Sequence, residues 1–139
     1  MTQQTTIEFE APIEKVWHGL TDAATVKQYF FGTNLKSDWK VGSPITFSGE
    51  WEGHTYEDGG IILEIDPPEL LKYTYWSSMS GTENKAENYN NITYELSESG
   101  SITTLIITQD GVKTQQAAEH SEQNWKSVFE GLKKILKGE

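Results

Sequence analysis

The residues of this chain able to trade protons or hold a metal ion are few and dispersed. His18, His54 and His120 are far apart in sequence, and His54 lies in the polar run Glu50-Trp51-Glu52-Gly53-His54-Thr55-Tyr56-Glu57-Asp58. A polar turn there would bring His54, Glu57 and Asp58 together, the makings of a general base or a metal site. Such groups work only when further partners fix them, and a charged hairpin tip without that support is solvated surface. Cysteine is absent, which removes disulfides, thiolate metal sites and cysteine nucleophiles together. The spacings HExxH, GxSxG, GxGxxG and the P-loop do not occur, so no catalytic residue, metal or cofactor is expected.

Aromatic side chains offer more. Five Trp, six Tyr and five Phe are packed into 139 residues, and each buries a large area when it is packed. That density makes either a solid core or an aromatic-lined cavity, and cavities for small molecules are mostly apolar with a few placed polar groups.

Periodicity supplies the elements that would position these rings. Ile7 and Phe9 alternate with Glu8 and Glu10, as in a strand with one buried face. Pro12 suits the first position of a helix whose stripe is Val16, Trp17 and Leu20, with Glu14 near the positive helix end. Thr21-Asp22 offers a cap for a second helix over Ala23 to Tyr29, which Gly32 stops.

A run of strands follows. Ile45, Phe47 and Trp51 share a face, with Gly49 marking a bulge or bend; Ile61, Leu63 and Ile65 alternate with Ile62 and Glu64 until Pro67-Pro68 turns the chain. Gly59-Gly60 reads as a turn. Leu71, Tyr73 and Tyr75 lie opposite Leu70, Lys72, Thr74 and Trp76, and Tyr89 to Leu96 and Ser101 to Gln109 flank a hairpin connection at Ser97 to Gly100. The polar stretch Ser77 to Asn91 between them reads as an exposed loop. Thr114 can cap a last helix from Gln115 to Lys137, about 34 Å long at ~1.5 Å per residue. Its apolar face is Ala118, Ser121, Trp125, Val128, Leu132, Ile135 and Leu136. Short connections between successive strands make the sheet antiparallel, so the fold class is α+β.

The formal charge is -10, from 11 Lys plus Arg against 21 Asp plus Glu. That field repels phosphate backbones and anionic lipid, so neither nucleic acid nor a membrane is an expected partner. Met1 is followed by polar residues, and no segment approaches the roughly 20 apolar residues that cross a bilayer, which leads to the expectation of a soluble, cytoplasmic protein.

The order of several short motifs resembles the START-like (SRPBCC) superfamily, and within it the Hsp90 ATPase activator homologues. The matching residues are Ala11-Pro12, Val16-Trp17, Leu20-Thr21-Asp22, Trp39-Lys40-Val41-Gly42, Gly60 to Pro68, Leu70 to Tyr73 and Asn124-Trp125. Lys27-Gln28-Tyr29-Phe30 and Ser99 to Leu105 depart from the family's usual wording. The resemblance spans the chain and implies a single domain over residues 1–139 with a helix-grip fold, a curved antiparallel sheet wrapped around the long C-terminal helix. It further implies a cavity between the two for a small apolar or aromatic ligand. Phe30, Phe31, Trp39, Phe47, Trp51, Tyr73 and Tyr75 are the candidates on the sheet and its connections, and Trp125 and Phe129 those on the helix. Non-catalytic ligand binding is the expected function. A co-chaperone-like protein partner and a cyclase- or hydratase-type enzyme on the same fold are the alternatives.

Overall fold

The computed structural model describes residues 2–30, 32–51, 53–77, 83, 85–112 and 114–136, with the side chains of residues 51 and 86 outside that set. Strand β1 (Gln3–Phe9) leads into α1 (Ile13–Thr21) and α2 (Ala23–Tyr29); β2 (Asn34–Ser37), β3 (Pro44–Trp51), β4 (His54–Asp66) and β5 (Leu70–Tyr75) follow. A 3-10 turn (Ala86–Asn88) precedes β6 (Asn90–Ser99), β7 (Ile102–Gln109) and the long α3 (Gln115–Leu136). The strands form one seven-stranded sheet in the order β1-β7-β6-β5-β4-β3-β2, antiparallel at each junction. Because β1 and β2 occupy opposite edges, α1 and α2 carry the chain across the sheet between them, where they meet α3. This is the helix-grip arrangement of the α+β class.

The helices start where the local chemistry allows. Pro12 is extended (φ -62°, ψ 150°) and stands before the helix, so α1 begins one residue later than its proline suggests. Pro12 has no side-chain acceptor to offer, and Glu98 on β6 accepts from the Ile13 N–H at 3.0 Å instead. This carboxylate, 85 residues away in sequence, satisfies an orphan donor and faces the positive helix end. Asp22 caps α2 by accepting from the Thr25 N–H at 3.1 Å and its hydroxyl at 2.7 Å. Those two bonds, the hydroxyl first, hold its carboxyl below the ordinary range. Thr114 caps α3 through the Ala117 N–H at 3.0 Å. Lys137, the expected last residue of that helix, lies outside the described residues.

Strand β4 departs most from simple alternation. Ile62 pairs with Tyr73 and Glu64 with Lys72, so Leu63 is an extra residue in a bulge. The bulge resets the inward face: Ile62 is fully buried and Ile65 packs on the core, while Ile61 is exposed. The bulge is therefore not at Gly49, which pairs in register with Tyr56. Gly59-Gly60 is not a turn either. Both lie inside β4, opposite Thr46 and Ile45 on one side, and Gly59 also bridges to Trp76. A Cβ on Gly59 would overlap the Ile45 carbonyl oxygen, and one on Gly60 the Thr74 carbonyl and hydroxyl oxygens. The two glycines thus let three neighbouring stretches of chain approach closely at this point. The β6–β7 hairpin is also tighter than its sequence suggests, with Ser99 paired to Ile102 and only Gly100-Ser101 between.

This crowding sets an expectation for stability. Gly60→Ala should cost about 2–4 kcal/mol by overpacking backbone against backbone. Gly100→Ala, at a left-handed position (φ +61°) with open space around it, should cost about 1 kcal/mol. Urea denaturation of both variants checks this; equal losses would mean that the crowded backbone at Gly60 tolerates a side chain.

Candidate functional site

The inner face of the sheet and the underside of α3 meet through rings. Tyr73 on β5 and Tyr94 on β6 cross edge to face at 5.6 Å, and Tyr94 meets Trp125 on α3 in the same way at 6.1 Å. Trp125 then stacks on Phe129, one helical turn on, at 5.9 Å and an interplanar angle of 7°. On the other side Phe47 contacts Phe30, Tyr73 and Tyr75 at 6.0, 5.9 and 5.8 Å. Centroid spacings of this order are those at which aromatic pairs attract.

Among the described residues two spaces lie in this array. The inner one, lined by Trp39, Tyr73, Tyr94 and Phe129 among others, holds only about 10 Å³, roughly the room of a single water. The outer one, about 190 Å³, lies between Phe30, Phe47, Tyr73, Tyr75 and Ile92 below and Ser121, Asn124 and Trp125 of α3 above, with Gln109 at its side. The structure therefore gathers five of the expected residues, Phe30, Phe47, Tyr73, Tyr75 and Trp125, around the larger space. Trp39 and Phe129 sit instead on the filled side. Phe129 is buried, and Trp39 adopts a left-handed backbone (φ 57°), its N–H bonded to the Ser37 hydroxyl at 3.1 Å. Phe31 and the side chain of Trp51 lie outside the described residues.

Four residues of the wall escaped sequence reasoning: Ile92, Gln109, Ser121 and Asn124. Two of them carried a signal. Gln109 continues the inward alternation of Thr103, Leu105 and Ile107, and Ser121 interrupts the apolar stripe of α3 one turn before Trp125. A polar residue at an inward position marks either a satisfied core bond or a cavity wall.

The polar atoms around the rings are mostly engaged with one another. The Tyr73 and Tyr94 hydroxyls are 2.9 Å apart, Tyr75 donates to Asp58 Oδ2 at 3.1 Å, and the Trp125 indole N–H donates to Gln109 Oε1 at 3.2 Å. Tyr29 donates to the Gly19 carbonyl at 2.7 Å. Burial pushes the Tyr94 phenol up to about 12. It holds Tyr29, Tyr73 and Tyr75 above the ordinary phenol range as well, with neighbouring tyrosines and, for Tyr75, the Asp58 carboxylate adding to it. None of these four phenols releases a proton near neutrality, so the array offers fixed dipoles and apolar walls.

The histidine cluster suggested by the sequence does not assemble as a turn. His54 through Asp58 are consecutive residues of β4, so Glu57 and Asp58 project to opposite faces; His54 is exposed, and Asp58 faces inward to Tyr75. Among the described residues no group of three His, Asp or Glu is placed to hold a metal ion.

Residues 10–137 match the sequence profile of the family described as Activator of Hsp90 ATPase homolog 1-like protein. Comparison with curated proteins gave no match. Among solved structures, ChR145 from Cytophaga hutchinsonii is 40% identical, with a TM-score of 0.86 over 99% of this chain and 94% of that one. PFC0360w, an Hsp90 activator from Plasmodium falciparum, is 21% identical with a TM-score of 0.75 over 99% and 96%. The Aha1 dimer from Colwellia psychrerythraea is 18% identical with a TM-score of 0.74 over 98% and 96%. These last two share the fold.

The buried phenols make stability depend on alkaline pH. Unfolded tyrosine ionises near pH ~10, whereas the folded chain retains the Tyr94 proton to about 12. Below pH ~10 this contribution is fully present; above it the unfolded state binds fewer protons, and the contribution is lost as pH rises through the folded value. Urea denaturation between pH 8 and 12 should show a fall that the Tyr73→Phe/Tyr94→Phe double variant reduces. Phenolate absorbance from these tyrosines should appear only with unfolding, and their ionisation near pH 10 in the intact fold would contradict the burial.

Proposed function

Given that the chain belongs to the Activator of Hsp90 ATPase homolog 1-like family, a START-like fold, we propose that it binds a small apolar or aromatic molecule between sheet and helix, as a single domain and without catalysing a reaction on it. The observation that carries this reading is the aromatic-walled space of about 190 Å³ under Trp125. A cavity of roughly 150 Å³ accepts benzene, while sites for drug-sized molecules run from about 300 Å³ upward. A ligand of one ring fits the first class. The four tyrosines, whose pKa burial moves further from neutrality, support binding over proton transfer, since a general acid or base works best with its pKa near the operating pH.

A second reading, association with an Hsp90-type chaperone, is favoured by the family description. Acceleration of ATP turnover by purified Hsp90 would support it, and its absence together with saturable probe binding would leave the cavity as the site of function. With net charge -10, nucleic acid is not a proposed partner. No helix among the described residues is long and apolar enough to cross a membrane.

Ligand binding should quench or shift Trp125 fluorescence in a saturable titration, and ligand at 100 times its Kd should raise stability by about 2.7 kcal/mol. Trp125→Ala should cost about 2–3 kcal/mol without ligand, from partial burial and lost ring pairs, and should weaken binding severalfold. Phe129→Ala, in the filled part of the array, should cost about 3–5 kcal/mol. Equal losses, with probe affinity unchanged by Trp125→Ala, would make the indole scaffold alone and remove the support for a cavity.

A further inference from the structure

The hydrogens of the cavity wall indicate what a ligand must bring, on the ligand-binding reading above. Tyr73 and Tyr94 are both buried, at 1% and 5% exposure, with their hydroxyls 2.9 Å apart. Two phenols carry two hydroxyl hydrogens, and the bond between them uses one. The other hydrogen has no acceptor among the described residues, and burial keeps it from bulk water, a costly condition for a polar group. Tyr73 is a wall of both the outer cavity and the inner space, and Tyr94 of the inner space.

A second donor stands at the side of the same cavity. The Trp125 indole N–H can only donate, so Gln109 must present its oxygen to it and direct its NH₂ group elsewhere. The nearby carboxylate, Asp58, already accepts from Tyr75. Among the described residues neither the spare hydroxyl hydrogen nor the Gln109 NH₂ group has an acceptor, whereas Ser121 and Asn124 on the same wall can both donate and accept. The chain's charge of -10 makes the site unfavourable for an anionic acceptor and leaves a neutral one. We propose that the cavity selects a neutral one-ring aromatic molecule bearing a carbonyl oxygen, and that this oxygen accepts the free hydroxyl hydrogen of the Tyr73–Tyr94 pair.

Acetophenone and α-methylstyrene test this, because they share a shape and differ in C=O against C=CH₂. Calorimetric affinities for both are compared with their partition between water and cyclohexane, which gives the preference expected from burial alone. The intact chain should favour acetophenone about tenfold beyond that baseline, the worth of one hydrogen bond. Tyr73→Phe/Tyr94→Phe keeps both rings and removes both partners of the buried bond, a change that is nearly neutral for folding, and it should erase the excess. At least one of the single variants should lower it as well.

An excess that survives in the double variant, or is absent from the intact chain while both probes still bind, overturns the carbonyl inference and leaves the ligand-binding reading standing. An excess lost in Gln109→Leu but kept in the double variant assigns the oxygen to the amide and also overturns the proposal. Failure of both probes to bind the folded, intact chain removes the ligand-binding reading itself.

Discussion

How closely α3 can lie on the curved sheet governs both the core and the cavity, and small residues set that distance at one end of the helix. A Cβ on Gly19 would come within 2.6 Å of Leu132, and one on Gly131 within 2.9 Å of Tyr29. Glycine at both positions lets α1 and α2 press against the C-terminal half of α3, where Val128, Phe129 and Leu132 are buried. Toward the N-terminal half the helix presents Ser121, Asn124 and Trp125 to a space that the sheet does not fill. One helix thus closes the core at one end and roofs a cavity at the other. Dense packing and an open site coexist under one sheet, whose close strand approach at Gly59-Gly60 and bulge at Leu63 shape the face that α3 covers.

Taking so many hydroxyls into this interior requires that each be satisfied. The tyrosines do so largely by pairing with one another or with backbone and carboxylate oxygens, and the only buried side-chain atom without a partner among the described residues is Gln3 Oε1, which no feature of the structure explains. The same desolvation raises the pKa of these phenols further above neutrality. Specificity by hydrogen bonding is what remains to them.

The helices were legible because their signals are local. Asp22 and Thr114 cap from positions visible in sequence, α2 spans the expected Ala23–Tyr29, and the 3.6-residue stripe of α3 buries Ala118, Val128 and Leu132. What escaped depends on contacts between segments distant in sequence. The Glu98 cap of α1 belongs to another strand. Strand β2 spans only Asn34–Ser37 and is fixed by pairing with β3. Leu63 becomes a bulge only because β5 pairs on both sides of it, and glycines in tandem look the same in a turn as in a crowded strand. Of the site, the aromatic content and most of its rings were visible. Tyr94 and Gln109 were not, since a strand's alternation says which face a residue takes and not which ring lies across from it.

Ligand and chaperone readings place function on different surfaces, and the physics of those surfaces separates them. The outer face of the sheet carries Thr46, Ser48, Lys72, Thr93, Glu95, Thr104 and Thr108, with half-buried Leu70, Ile102 and Ile106 among them, opposite the inward rings and aliphatics. Among the described residues, the exposed large hydrophobics are Val41 and Ile61 alone, far from the contiguous apolar patch of an obligate interface. A protein partner would then be held mainly by polar and charged contacts on an acidic surface. Such contacts weaken as the Debye length shrinks from about 10 Å at 0.1 M salt to about 3 Å at 1 M. Binding of a neutral ring in the cavity buries apolar area and is strengthened, if anything, by excluded salts. Salt dependence consequently reports which surface is engaged, independently of what the partner is.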